Sequence, residues 1–157
     1  MFYFATITAM SKYNFFIAGR WRNKDNINPV LDLVRANGKS AYCFLENDYK
    51  GEIIELKKDD DPEVFMAQFE DLPQDHPFIR KIFEIDMQAE RDADTFLLVF
   101  PAGIAAHIEA GVAYGLGKRC IAIGSLEKTE TLYNVFERIF PDVDSFEKWL
   151  KSESADI

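Results

Sequence analysis

Apolar residues along the chain alternate between short, nearly continuous runs and longer stretches with three-and-four spacing. "YNFFIAG" at 13–19 is an aromatic and branched run closed by Gly19, the pattern of a buried strand ending at a tight turn. "NINPVLDLVRANG" follows, with Val30, Leu31 and Val34 on one helical face, Pro29 placed near the first turn and Gly38 after the last periodic residue. "SAYCFLE" then reads as a second strand. Strand, helix and strand with short links make a right-handed βαβ unit and a parallel sheet.

Residues 49–61 turn charged and end in "KKDDD", which reads as a solvated loop with an irregular hairpin around "GEIIEL". Asp61 and Pro62 form an N-cap and first helical position, so "DPEVFMAQFEDL" is a short helix expected over an edge of the site. "DHPFIRKIFEIDMQAERDA" is a longer one, striped by Phe78, Ile82, Ile85 and Ala89, with Asp86 beside the stripe and His76 at its start. "DTFLLVF", closed by Pro101, suits a strand covered on both faces. Helix "IAAHIEAGVAYGL", a stop at Gly117, strand "KRCIAIG", helix "TETLYNVFERIF" and helix "DSFEKWLKSE" complete the series.

This order predicts an α/β fold: an open parallel sheet of about five strands with helices on both faces, a flavodoxin-like or Rossmann-like three-layer sandwich. The 157 residues suit one domain, residues 1–157, within which 1–9 reads equally as an extra edge strand or as an N-terminal extension. Ligands of such sheets bind outside the carboxyl ends of the strands, so the loops after Gly19, Glu46, Phe100 and Gly124 are expected around one crevice.

Composition narrows the function. With nearly half its residues apolar and fourteen Phe, the chain is globular with an aromatic-rich core. A net charge of −9 argues against a nucleic-acid polymer as partner, though not against a small anion met by Arg20, Arg22 or a helix N-terminus. Cys43 and Cys120 lie in apolar runs and read as buried core residues, not as a disulfide scaffold or a zinc site. A metal site on Asp59, Asp60 and Asp61 is disfavoured, and no metal is expected. No apolar run has the length of a membrane span, and "MFYFATITAM" lacks the flank and cleavage site of a signal peptide, which makes the cytoplasm the expected location. Two histidines so placed support no nucleophilic triad, and neither "PAGIAAH" nor "AYGLGK" matches a phosphate loop or dinucleotide fingerprint, so no cofactor is expected.

The carboxylates are the remaining chemistry. Glu109 lies a turn or two into its helix after the "PAG" turn, where the helix dipole favours its ionised form by about 0.3–1 kcal/mol. A fixed, ionised carboxylate is what a nucleophile toward a sugar carbon requires. Pairing with Arg22 or Lys118, or simple capping, accounts for it as well, and the pattern alone balances the two. Asp94 opens its strand at the end away from the crevice, whereas the position of Asp86 on its helix allows it to come across from Glu109 without requiring it. His107, in the same helix as Glu109, reads more readily as packing or capping than as a ligand contact.

The stretch "IRKIFEIDMQAERDADTFLLVFPAGIAAHIEAGVAYGLGKRCIAI" resembles the nucleoside 2-deoxyribosyltransferases and their deoxynucleoside 5′-monophosphate N-glycosidase relatives. Asp86, Ala93-Asp94, Gly103, Glu109, Gly111, Ala113 and Gly117-Lys118 carry the likeness, with "FFIAGRWR" extending it. The resemblance implies that Glu109 is the nucleophile and carries a covalent glycosyl intermediate, that Asp86 is proton donor to the base, and that Gly19, Gly103 and Arg20 or Arg22 bound the sugar's 5′ end. It implies a nucleoside or nucleotide substrate and a homo-oligomer. Phe16 stands where relatives carry a Tyr near the nucleophile, and "AGIAAH" replaces their hydroxyl-bearing element, bringing His107 into that neighbourhood. A non-catalytic nucleotide sensor and a TIR-like NAD-cleaving domain are the competing readings.

Overall fold

The computed structural model describes residues 11–47 and 61–155. Five parallel strands form one sheet: β1 (Tyr13–Ala18), β2 (Ala41–Cys43), β3 (Ala93–Val99), β4 (Arg119–Ile123) and β5 (Arg138–Phe140), in the order β2-β1-β3-β4-β5. Phe16 pairs with Tyr42 on one side and Phe96 on the other, and Leu98 continues the register to Ala122. This is the flavodoxin strand order expected from the alternation.

Among the described residues there are five helices: α1 (Lys24–Ala36), α3 (Pro77–Arg91), α4 (Ile104–Gly115) and α5 (Val143–Ala155) pack on the sheet, and α2 (Pro62–Glu70) packs against the turn after β1. The two-residue period of the strands splits the core. Phe15, Ile17, Leu97 and Val99 face α1 and α5, while Phe16, Ala18, Phe96 and Leu98 face α3 and α4. Ala106, Ala110 and Ala113 let α4 lie close against the sheet. Gly117, at φ +75°, ends that helix in a conformation a β-carbon would strain.

Asp61 accepts a hydrogen bond from the Glu63 N–H, and His76 Nδ1 accepts one from the Phe78 N–H, so both caps sit where expected. Cys43 and Cys120 are buried and unpaired, and burial pushes their thiols up to about 12 and about 11. Asp94 is exposed near the start of β3, at the end of the strand away from Phe100. Asp59, Asp60, the "GEIIEL" segment and residues 1–9 lie outside the described residues.

Two elements differ from expectation. α1 begins at Lys24, so Pro29 stands inside it and not in its first turn. The run "TETLYNVFERIF" forms a short 3₁₀ turn at Thr131–Val135 followed by β5, not a helix. Val135, Phe136, Ile139 and Phe140 fit one helical face, yet Phe136 and Ile139 pack toward α3 and α4 while Phe140 is buried among α5 residues. Covering both faces of the sheet edge with these side chains requires the extended backbone, and the open edge of β4 supplies its hydrogen bonds.

Candidate functional site

The carboxyl ends of β1, β2 and β3 open into a cavity of about 410 Å³. Gly19, Arg20, Trp21 and Arg22 follow β1, Phe44 follows β2, and Gly103 through Ala106 with Glu109 follow β3. Among the described residues, the loop after Gly124 contributes nothing to the lining. Gly19 is needed for close packing, since a β-carbon there would stand 2.5 Å from Ile27 Cδ1 in the core.

α2 and α3 close the opposite wall with Met66, Phe69, Ile79 and Ile82, and Trp21 meets Phe44 edge to face with centroids 5.8 Å apart. This apolar wall suits a flat ring. Its residues are scattered over four elements, and the one trace of it in the sequence is the helical stripe through Ile82. Asn23 was missed as well. It is buried, its amide donates to Pro101 O at 3.1 Å and Val99 O at 3.4 Å, and it accepts from Asn26 at 2.6 Å, tying the turn after β1 to the turn after β3.

Glu109 and Asp86 both line the cavity. Neither alternative partner takes Glu109: Arg22 is engaged by Glu63 at 2.5 Å and Glu70 at 3.1 Å, and Lys118 donates to Arg91 O at 2.7 Å. Burial, then the charges of Asp86 and Glu90, push the Glu109 carboxyl up to about 8. The expected dipole-stabilised anion is therefore not the favoured form at neutral pH. A terminal dipole supplies about 0.3–1 kcal/mol and at most about 2, roughly one and a half pH units, and desolvation outweighs it.

Asp86 is also raised, by burial, against the opposing hydrogen bonds of Tyr42 and Asn47. Glu90, one helical turn further along α3, is 1% exposed, both its oxygens lack a hydrogen-bond partner among the described residues, and burial lifts it to about 7. The charges of Asp86 and Glu90 oppose ionisation of Glu109, so the three carboxyls titrate as coupled groups and full ionisation of all of them is disfavoured.

Two expected contacts are not made. Phe16 is 1% exposed and stacked between Tyr42 and Phe96, at centroid distances of 5.1 and 5.7 Å, and does not line the cavity. Its register on β1 turns it into the core under α3 and α4. His107 does not line the cavity that holds Glu109. Its Nδ1 lies 2.7 Å from Gly103 O and its Nε2 3.2 Å from the Tyr133 hydroxyl, with Phe100 packed on the ring. That is the packing and capping role preferred from the sequence. Gly19, Arg20, Arg22 and Gly103 do come together with the two carboxyls.

No protein-family model matches the chain, and no curated protein matches its sequence. Its fold is similar to that of a 2-deoxyribosyltransferase from the psychrotolerant bacterium Bacillus psychrosaccharolyticus, with a TM-score of 0.59 and 16% identity over 85% of this chain and 89% of that one. The likeness establishes the fold.

Proposed function

We propose that the protein cleaves or exchanges the N-glycosidic bond of a nucleoside or nucleotide, with Glu109 as nucleophile and Asp86 as acid. The observation that carries this reading is the pairing of Glu109 and Asp86 in one cavity, opposite an apolar wall fit for a base. Likeness in fold to a 2-deoxyribosyltransferase supports it.

The productive form of the pair has the proton on Asp86 and the charge on Glu109. As the bond from C1′ to the base nitrogen breaks, its electron pair goes to the base, Asp86 gives the base its proton, and a Glu109 oxygen bonds to C1′. Water or a second base then attacks C1′, releasing Glu109, and Asp86 recovers the proton. The transition state is cationic at the sugar, so the anion gains most there, and its weak solvation strengthens that attraction. Arg20 is the cation offered to the sugar's 5′ end, because the Arg22 charge is already met by Glu63 and Glu70.

Incubation with deoxynucleosides, their 5′-monophosphates, ribonucleosides and NAD, with and without an acceptor base, tests the proposal by chromatography of free base. Release from a deoxynucleoside or its monophosphate, reduced at least 1000-fold in Glu109→Ala, is expected on removing a nucleophile. Release from NAD alone, or saturable nucleotide binding with no turnover, would refute it. The same reading makes the protein a homo-oligomer. Ile104 and Ile108, 82% and 63% exposed on α4, are the face such an assembly would bury, and sedimentation at micromolar concentration reads its mass.

A further inference from the structure

The Tyr42 hydroxyl donates to Asp86 Oδ1 at 2.5 Å, and the Asn47 amide donates to the same hydroxyl at 2.8 Å. The two bonds form a directed chain, Asn47 to Tyr42 to Asp86, and the Asn47 amide also favours the charged form of Asp86 directly. Because the phenol oxygen receives the amide hydrogen, its own hydrogen is committed to Oδ1. Oδ1 is thereby an acceptor, and the acidic proton of Asp86 belongs on Oδ2.

Tyr42 is well placed to hold this geometry. Its ring is 9% exposed and stacked on Phe16 at 5.1 Å with an interplanar angle of 25°, and a tilted contact with Tyr13 braces it at 5.7 Å. The Phe16 ring, which does not line the cavity, thus backs the one that carries the hydroxyl. β2 contributes a hydroxyl to the acid, where the sequence showed one absent from β1 near Glu109.

We infer that Tyr42, oriented by Asn47, is a positioning residue for Asp86, holding its proton-bearing oxygen toward the leaving base. This rests on the proposed glycosyl chemistry. It confines the importance of Tyr42 to substrates whose base must be protonated to leave. A base that already carries a positive charge departs without Asp86 and is indifferent to Tyr42.

The test is Tyr42→Phe, which keeps the stacked ring, compared with the parent protein on 2′-deoxyguanosine and on its N7-methyl cation. kcat/KM is expected to fall about 10- to 100-fold on the neutral substrate, part of the roughly 100- to 10,000-fold that acid catalysis supplies because Asp86 itself remains, and less than about 3-fold on the cation. Equal losses on both overturn the inference while leaving the glycosyl reading in place.

A second readout needs no turnover. NMR titration of the Asp86 carboxyl carbon is expected to move to higher pH in Tyr42→Phe, since a hydrogen bond favouring the charged form is gone. The other groups facing Asp86 are Glu109 from α4, Glu90 from its own helix, and Arg20 and Arg22 across the cavity, and all remain in the variant. An unmoved Asp86 titration overturns the inference whether or not any base is released. Absence of base release from every substrate overturns the parent reading instead, and the inferred orientation with it as a catalytic device.

Discussion

Replacing Glu90 by Gln is expected to make the protein more stable, increasingly so as the pH rises. Glu90 is 1% exposed and neither oxygen has a hydrogen-bond partner among the described residues. Burial raises it from 4.5 to about 7, Asp86 adds to the rise, and Arg91 and Lys118 oppose it. The Ala113 N–H also opposes it, weakly, since its geometry falls outside a hydrogen bond. The folded state therefore prefers the protonated acid. As pH climbs from 4.5 toward 7 the unfolded chain gives up this proton before the folded one does, so stability falls with pH over that window. At about 1.4 kcal/mol per pH unit, the gap between 4.5 and about 7 is worth about 3 kcal/mol, most of it lost between pH 5 and pH 8. Glutamine has nearly the same shape and never ionises, so it escapes this loss. Urea unfolding followed by the fluorescence of Trp21 and Trp149 measures the difference. With a slope near 2 kcal/mol per molar, the midpoint of Glu90→Gln should exceed that of the parent by about 1 M more at pH 8 than at pH 5. A difference in midpoints that stays constant across that range would refute the account of Glu90 as a buried acid without a partner.

The pair should show a bell-shaped pH profile of kcat/KM, because its working form holds one proton: the alkaline limb lies near pH 8, where the coupled pair loses its last proton, and activity undiminished at pH 10 would contradict a shared proton. Asn23→Ala leaves the buried carbonyl of Val99 and the part-buried carbonyl of Pro101 without their amide donor, and is expected to cost about 1–3 kcal/mol in urea unfolding and to raise KM by loosening the turn before α4. Gly19→Ala puts a β-carbon 2.5 Å from the Cδ1 of Ile27, a side chain with 0% exposure; a loss of about 1–3 kcal/mol is expected, visible as a melting temperature lower by several degrees.

Most elements of the sheet were legible because their signals are local. "YNFFIA" and "ADTFLLV" are apolar on both faces, as strands covered by helices must be, and Asp61-Pro62 and His76-Pro77 mark helix starts by hydrogen bonds a few residues long. The crevice followed from topology, and with it the meeting of Gly19, Arg20, Arg22, Gly103, Asp86 and Glu109. "TETLYNVFERIF" failed for a physical reason: a segment buried on alternate sides at a sheet edge and one buried on a helical stripe can share one apolar pattern, and only the neighbouring strand distinguishes them. Pro29 misled because a proline is tolerated within α1 as well as at a helix start, here on the exposed side of the helix.

Taken alone, the sequence determined the α/β alternation, the helix caps, the burial of both cysteines and the two carboxyls worth watching. The tertiary structure decided what those groups are able to do. Register on β1 sent Phe16 into the core, register on β2 brought the Tyr42 hydroxyl to Asp86, and the packing of Tyr133 beside α4 drew His107 aside. The charge state of Glu109 was decided in the same way, since a helix dipole is a local property but desolvation is the summed effect of every element that keeps water out. Local pattern records which residues a chain has to spend on a site, and the surfaces that dehydrate and orient them exist only once distant segments have packed together.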